Sequence, residues 1–246
     1  MSAATFEVVR YLDDLLRKAE FQDFTANGLQ VEGAGEISRV GMAVDACMAT
    51  FEALQDCQMI VVHHGLWWPS VDRMVGPDRR RLAFLLERDI NLYVSHLPLD
   101  RHPQLGNNAC LLKGLGLEPS QEFAEVGWMG EAPEPLDLVE LVTRLEGFLE
   151  GPVRTLAFGS RRVSRIAVCS GSGSVSHLNK ARESGADVYL TGEASHPIYH
   201  AACEARMNVL LGGHYATETW GVRALMPRLE EAFGLETRFA DHPTGF

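Results

Sequence analysis

Apolar residues recur at helical spacing near the amino terminus, at Phe6, Val9, Leu12, Leu16 and Ala19, and predict an opening amphipathic helix capped by Thr5. Asn27-Gly28 then reads as a turn. From residue 39 the pattern changes to short apolar runs at 40–44, 59–62 and 90–94, separated by helical segments near 48–57 and 78–89, the second with Asp78 as its cap. Pro133 and Pro135 precede a strongly amphipathic helix with Leu138, Leu141, Val142, Leu145 and Phe148 on one face. The alternation then resumes, with strands at 166–169, 188–190 and 209–211 and helices near 174–184 and 196–206. A long helix from about 217 to 233 and an edge strand at 236–240 complete the chain. Strands alternating with helices predict an α/β fold with mostly parallel sheets.

The two halves follow one plan at an offset of roughly 120 to 130 residues. Each opens on a basic residue and an apolar strand, Arg39-Val40-Gly41-Met42-Ala43-Val44 and Arg165-Ile166-Ala167-Val168-Cys169. The second strand of each ends in polar residues, His63-His64-Gly65 and Thr191-Gly192-Glu193. The third ends in a spaced pair, His96-x-x-x-Asp100 and His214-x-x-x-Glu218. Two similar α/β lobes related by internal duplication follow, 1–125 and 126–246, with the C-terminal helix free to pack back on the first.

Ligands of open α/β sheets collect beyond the carboxyl ends of the strands, and every polar residue just named lies there. Successive strand residues face opposite ways, so His63 and His64 could serve two different ions. His214 and Glu218 lie four apart at a helix start and could grip the same one. Imidazole nitrogen with carboxylate oxygen and no thiolate suits Zn, Mn, Fe or Ni. The expected cofactor is therefore two divalent transition-metal ions per chain, able to activate water and clamp a displaced oxygen. His102, His177, His200 and His242 read as core or loop histidines. Gly171-Ser172-Gly173-Ser174 reads as a plain strand-to-helix turn in preference to an anion loop. Trp67 and Trp68 either stack on a planar base or pack beside a strand end. Glu193-x-x-His196 either supports the site or caps a helix.

Composition narrows the choice of partner. Of 246 residues 46% are hydrophobic, enough for a substantial core, and 22 basic against 33 acidic residues give a net charge of −11. That balance argues against nucleic acid, and leaves Arg79–Arg81 and Arg161-Arg162 as solvated faces. The five cysteines are odd in number and form no C-x-x-C pair, as in a reduced, cytoplasmic protein. No apolar stretch reaches the roughly 20 residues of a membrane span.

Taken together, VVHHGLWW (61–68), SHLPLD (95–100), LGNNA (105–109), TGEASH (191–196) and GGHYATET (212–219) resemble the GTP cyclohydrolase type 2 homologue family, also called NGG-interacting-factor-like proteins. The resemblance spans nearly the whole chain in the short bacterial form, without the inserted middle domain of longer members. It implies two α/β lobes with a dinuclear metal site in the cleft between them, assembled as a toroidal homohexamer. The family's ligands fall on His63, His64, Asp100, His214 and Glu218, with Glu218 bridging. By the same resemblance His63 and His214 share one ion, and His64 and Asp100 the other. His96 and Glu193 match polar positions lining the site, where either would move a proton in catalysis. Leu97-Pro98 departs from the threonine and further polar residue that many members carry, a difference that bears on substrate and not on metal. The expected function is a metal-dependent hydrolase of a nucleotide-like small anionic substrate, the alternative being a metal-binding scaffold without turnover.

Overall fold

The apolar run ahead of His63 has no exposed member: Met59, Ile60, Val61 and Val62 are all fully buried, as a strand in a sheet covered on both faces must be. The computed structural model describes residues 1–68 and 73–246. In chain order its elements begin with β1 (Ala3–Ala4), α1 (Thr5–Leu15), β2 (Gly28–Val31), β3 (Glu36–Ile37), β4 (Arg39–Asp45), α2 (Met48–Ala53), β5 (Met59–His64), α3 (Gly76–Leu86), β6 (Asn91–Val94) and α4 (Leu97–Arg101). There follow α5 (Asn107–Gly114), β7 (Pro119–Phe123), β8 (Gly127–Asp137), α6 (Leu138–Leu149), β9 (Arg154–Leu156), β10 (Arg162–Gly173) and α7 (Val175–Glu183). The last are β11 (Val188–Ala194), α8 (Pro197–Ala205), β12 (Asn208–Leu211), α9 (His214–Phe233) and β13 (Glu236–Phe239).

Two compact units emerge, one of Met1–Leu99 with Gly221–His242, the other of Asp100–Trp220 with Pro243–Phe246. Residues 125 and 126, where the sequence pattern divides the lobes, lie between β7 and β8 of the second unit. The first unit holds a five-stranded sheet of order β13-β4-β5-β6-β2, parallel throughout except for β2. The second holds a six-stranded sheet, β7-β8-β10-β11-β12-β9, parallel at its centre and antiparallel at its margins. Both sheets therefore have three consecutive parallel strands at their centre, with an antiparallel strand beside the third.

Several local expectations give way to packing. Thr5 is the first residue of α1 and not its cap; Ala4 holds the cap position, and the Thr5 hydroxyl donates to the Ala34 carbonyl. The buried stripe of the helix is Val8, Leu12 and Leu16, while Phe6 is 67% exposed. Asp78 likewise does not cap α3, whose cap is Val75; it pairs with Arg81 one turn on. Asp137 does cap α6, accepting from the Val139 amide at 2.9 Å. The run after residue 126, where Pro133 and Pro135 read as punctuation, is the long strand β8. Beyond Gly130 it has no β7 partner, which is where a strand tolerates proline. Among the described residues no helix is long and apolar enough to cross a membrane.

Asn91 shows how the first unit satisfies its buried polar groups. Its fully buried side chain accepts from the Gly33 amide (2.9 Å) and donates to the carbonyls of Ala34 (2.8 Å) and Gln58 (3.0 Å). Asn91→Ala leaves the Gly33 amide without its partner and takes one of two donors from each of the Ala34 and Gln58 carbonyls, so unfolding in urea should show a loss of about 1–3 kcal/mol; no measurable loss would mean that the Gly33 amide finds another partner.

Candidate metal centre

In the first unit the histidines sit where parallel strands end. β4 and β5 align Asp45 opposite His64, and the His64 Nδ1–H donates to Asp45 Oδ1 at 2.8 Å. His63, the preceding residue and fully buried, donates from Nδ1 to the Ser95 carbonyl just past β6 at 3.0 Å. His96 donates from Nδ1 to both oxygens of Asp23, at 2.9 and 3.1 Å. Each acceptor is a carbonyl or carboxylate oxygen, which fixes the proton on Nδ1 and the lone pair on Nε2. Ligand atoms of His63, His64 and His96 lie within 4.8 Å of one another, and their ring centroids are 4.7 to 5.7 Å apart.

Asp23 is the functional residue that sequence patterning misses. Its side chain is 1% exposed and also accepts from Asn27 Nδ2 (2.8 Å) and the Leu97 amide (3.0 Å). Burial opposes its charge, but the hydrogen bonds from His96, Asn27 and Leu97 outweigh it and hold the carboxyl well below the ordinary carboxylate range. The two tryptophans part company. Trp67 packs against the core of the unit, whereas Trp68, 39% exposed, stands edge-on to His96 with centroids 5.0 Å apart.

The second unit holds the remaining expected ligands. β12 is followed by Gly212-Gly213 and then α9, which begins at His214 and places Glu218 one turn along. His214 Nδ1 meets Glu193 Oε1, from the end of β11, at 2.8 Å, and its Nε2 meets Glu218 Oε2 at 3.1 Å. Chiefly through the Glu218 hydrogen bond, opposed by burial and aided by Glu193, the His214 imidazolium is pushed up to about 9. Gly171 has a left-handed backbone (φ +64°), and a Cβ there would run into the Glu218 carboxylate. Its neighbour Ser170 donates from Oγ to Asp100 Oδ1 at 3.1 Å, and Asn107 Nδ2 reaches the same oxygen at 2.8 Å. The end of β10 thus contacts both Asp100 and Glu218.

Of the weaker sequence features, the Gly171–Ser174 segment is a turn, with Ser174 capping α7 by accepting from the His177 amide. His196 sits at the cap position of α8 without a capping hydrogen bond from its side chain, while Glu193 orients His214. His102 accepts from the amides of Gln104 and Leu105, as a loop histidine does.

The donor chemistry suits a borderline divalent ion. Four imidazoles have Nδ1 engaged, two carboxylates stand among amide and hydroxyl donors or beside an imidazole, and no thiolate competes. Burial, reinforced by the charges of Asp100 and Glu218, pushes the Cys169 thiol up to about 12, so it stays protonated.

A family profile described as Duf34/NIF3 (NGG1p interacting factor 3) matches residues 3–244. A protein of Archaeoglobus fulgidus named GTP cyclohydrolase 1 type 2 homolog is 42% identical over 97% of this chain and 98% of its own. A protein of the same name from Yersinia pestis is 42% identical over 96% and 97%. Among solved structures, protein ybgI, titled as of unknown function, superposes with a TM-score of 0.94 at 35% identity over 99% of this chain and 100% of that one. TTHA1606 from Thermus thermophilus does so with 0.92 at 39% identity, over 99% and 100%.

Two outcomes follow from these hydrogen bonds. Asp45→Asn keeps the shape but removes the carboxylate that orients His64, and should weaken divalent-ion binding by about 10- to 100-fold in chelator competition; undiminished affinity would leave Asp45 a purely structural role. Because the His214 value is raised on folding, the stabilisation it brings is complete below the ordinary 6.5 and is lost as pH rises through about 9. In chelator-treated protein the stability gap between wild type and Glu218→Gln should therefore narrow across that window in urea titrations, and a constant gap contradicts the assignment.

Proposed function

This chain belongs to the Duf34/NIF3 family, and we propose that it is a dinuclear-metal-dependent hydrolase of a nucleotide-like, anionic small molecule. His63, His64, Asp100, His214 and Glu218 would hold two divalent ions, with Glu218 shared. The observation that carries the reading is the uniform preparation of the imidazoles: His63, His64, His96 and His214 each have Nδ1 tied to an oxygen acceptor, the arrangement that directs Nε2 toward a cation. When bound, such ions supply Lewis-acid polarisation of the substrate and activation of water.

The side chains of the chain do the rest. Glu218 holds His214 through its Nε2, and that nitrogen would have to give up its proton to hold an ion. His96, pinned by Asp23, has Nε2 available to take a proton and return it, while Glu193 keeps the His214 ring in plane. Three imidazoles and two carboxylates bring two negative charges against four positive ones, so the loaded site favours an anion. The edge-on Trp68 gives a planar ring a surface beside His96.

Protein purified without chelator or affinity tag should carry about two ions per chain by elemental analysis. Reconstituted with Mn, Fe, Ni or Zn, it should hydrolyse some member of a nucleotide panel, and Glu218→Gln should abolish that turnover. Full occupancy without turnover on any compound would replace the hydrolase by a metal-carrying scaffold.

A further inference from the structure

A second cluster of imidazoles lies on α8, apart from the residues assigned to the ions. His196 immediately precedes the helix, and Tyr199 and His200 follow at the spacing that puts all three on one side. Their rings form an edge-to-face chain, with Tyr199 and His200 at 5.4 Å and 84°, and His196 and His200 at 5.8 Å and 76°. Phe158 braces Tyr199 from beyond at 5.2 Å and 89°. Across from them runs β9, whose Arg154 lies opposite Leu211, the last residue of β12.

Arg154, His196, Tyr199, His200 and Leu211 are among the residues lining an open cavity of about 500 Å³, within the range of small-molecule sites. Polar Arg154, Ser195, His196, Tyr199 and His200 line it together with aliphatic residues that include Leu211. Among the described residues that line it there is no carboxylate, although the chain carries 33 acidic residues against 22 basic ones. Guanidinium, two imidazoles and a hydroxyl around an apolar base are a donor set for a phosphoryl group, with the Tyr199 and His200 rings as walls for a planar substituent.

We infer that this cavity binds the phosphate monoester of a nucleotide-like ligand. The inference rests on the reading of the metal centre as acting on such a substrate, and gives that substrate an anchor one residue beyond Glu193, where β11 runs into α8. His200, which reads from the sequence as a core or loop histidine, is then a recognition residue on α8.

Calorimetric titration of the metal-free full-length protein with AMP, inorganic phosphate and adenosine tests it. AMP and phosphate should bind saturably, and adenosine about tenfold or more weakly than AMP. Arg154→Gln and, separately, His200→Gln should each weaken AMP about tenfold with no change in thermal midpoint, while Glu218→Gln leaves AMP binding intact. Absence of saturable AMP and phosphate binding, or wild-type AMP affinity in both variants, overturns the cavity assignment. The two readings fail separately. Turnover unaffected by Arg154→Gln and His200→Gln would sink the anchor and leave the hydrolase; phosphate held here without turnover would do the reverse.

Discussion

An imidazole can offer a lone pair to a cation from only one nitrogen, and its other nitrogen decides which by what it donates to. Four histidines of this chain meet that condition through four different acceptors, the Ser95 carbonyl, Asp45, Asp23 and Glu193. The choice of acceptor tracks burial. His63 is fully buried and uses a neutral carbonyl, where a carboxylate would have added a desolvated charge. His64 and His214, with side chains 20% and 27% exposed, use carboxylates that solvent also reaches. Asp23 is the exception, a nearly buried carboxylate, and it is the one that gathers the most hydrogen bonds.

The fold supplies three of these pairings directly, because parallel strands about 4.8 Å apart end side by side; the fourth, His96 with Asp23, reaches into the stretch that precedes β2. Asp45 and His64 end β4 and β5, His63 and Ser95 lie at the ends of β5 and β6, and Glu193 and His214 lie at the end of β11 and just past β12. In each case the orienting oxygen comes from the neighbouring strand end. A one-residue slip of β5 would reverse which face His63 and His64 use and separate both from their acceptors. The register that buries Met59 to Val62 is therefore also what prepares His63 and His64.

The sequence made the histidines legible because their signal is local, an apolar run that stops at His63-His64 and a pair four apart at His214 and Glu218. The α/β alternation was legible for the same reason, since buried central strands read as continuous apolar runs. Asp23 was not, because its meaning lies in a hydrogen bond to His96 across 73 positions and nothing in its own neighbourhood marks it. β7, β8 and β9 escaped notice because they are marginal strands, polar or proline-bearing, with a half-buried pattern too weak to show a period of two. Thr5 and Asp78 have the residue types of caps, but each lies inside its helix, whose cap positions are held by Ala4 and Val75.

The segment from His96 to Pro98 also bears on where selectivity can reside. The His96 amide donates to Asn27 Oδ1 at 2.8 Å and the Leu97 amide to Asp23 at 3.0 Å, so its first two backbone donors are committed to holding the imidazole. Leu97 and Pro98 have no polar side chain, and proline has no amide to donate. This stretch can therefore orient His96 but has little left with which to read a substrate. On the proposed reading, recognition falls to groups whose hydrogen-bonding capacity or ring face is still open to a ligand; Trp68 in the first unit and, separately, Arg154, His196 and His200 in the second are of that kind. On that reading, substitutions at these positions would alter the choice of substrate without removing any Nδ1 acceptor, because the Ser95 carbonyl, Asp45, Asp23 and Glu193 are not among them.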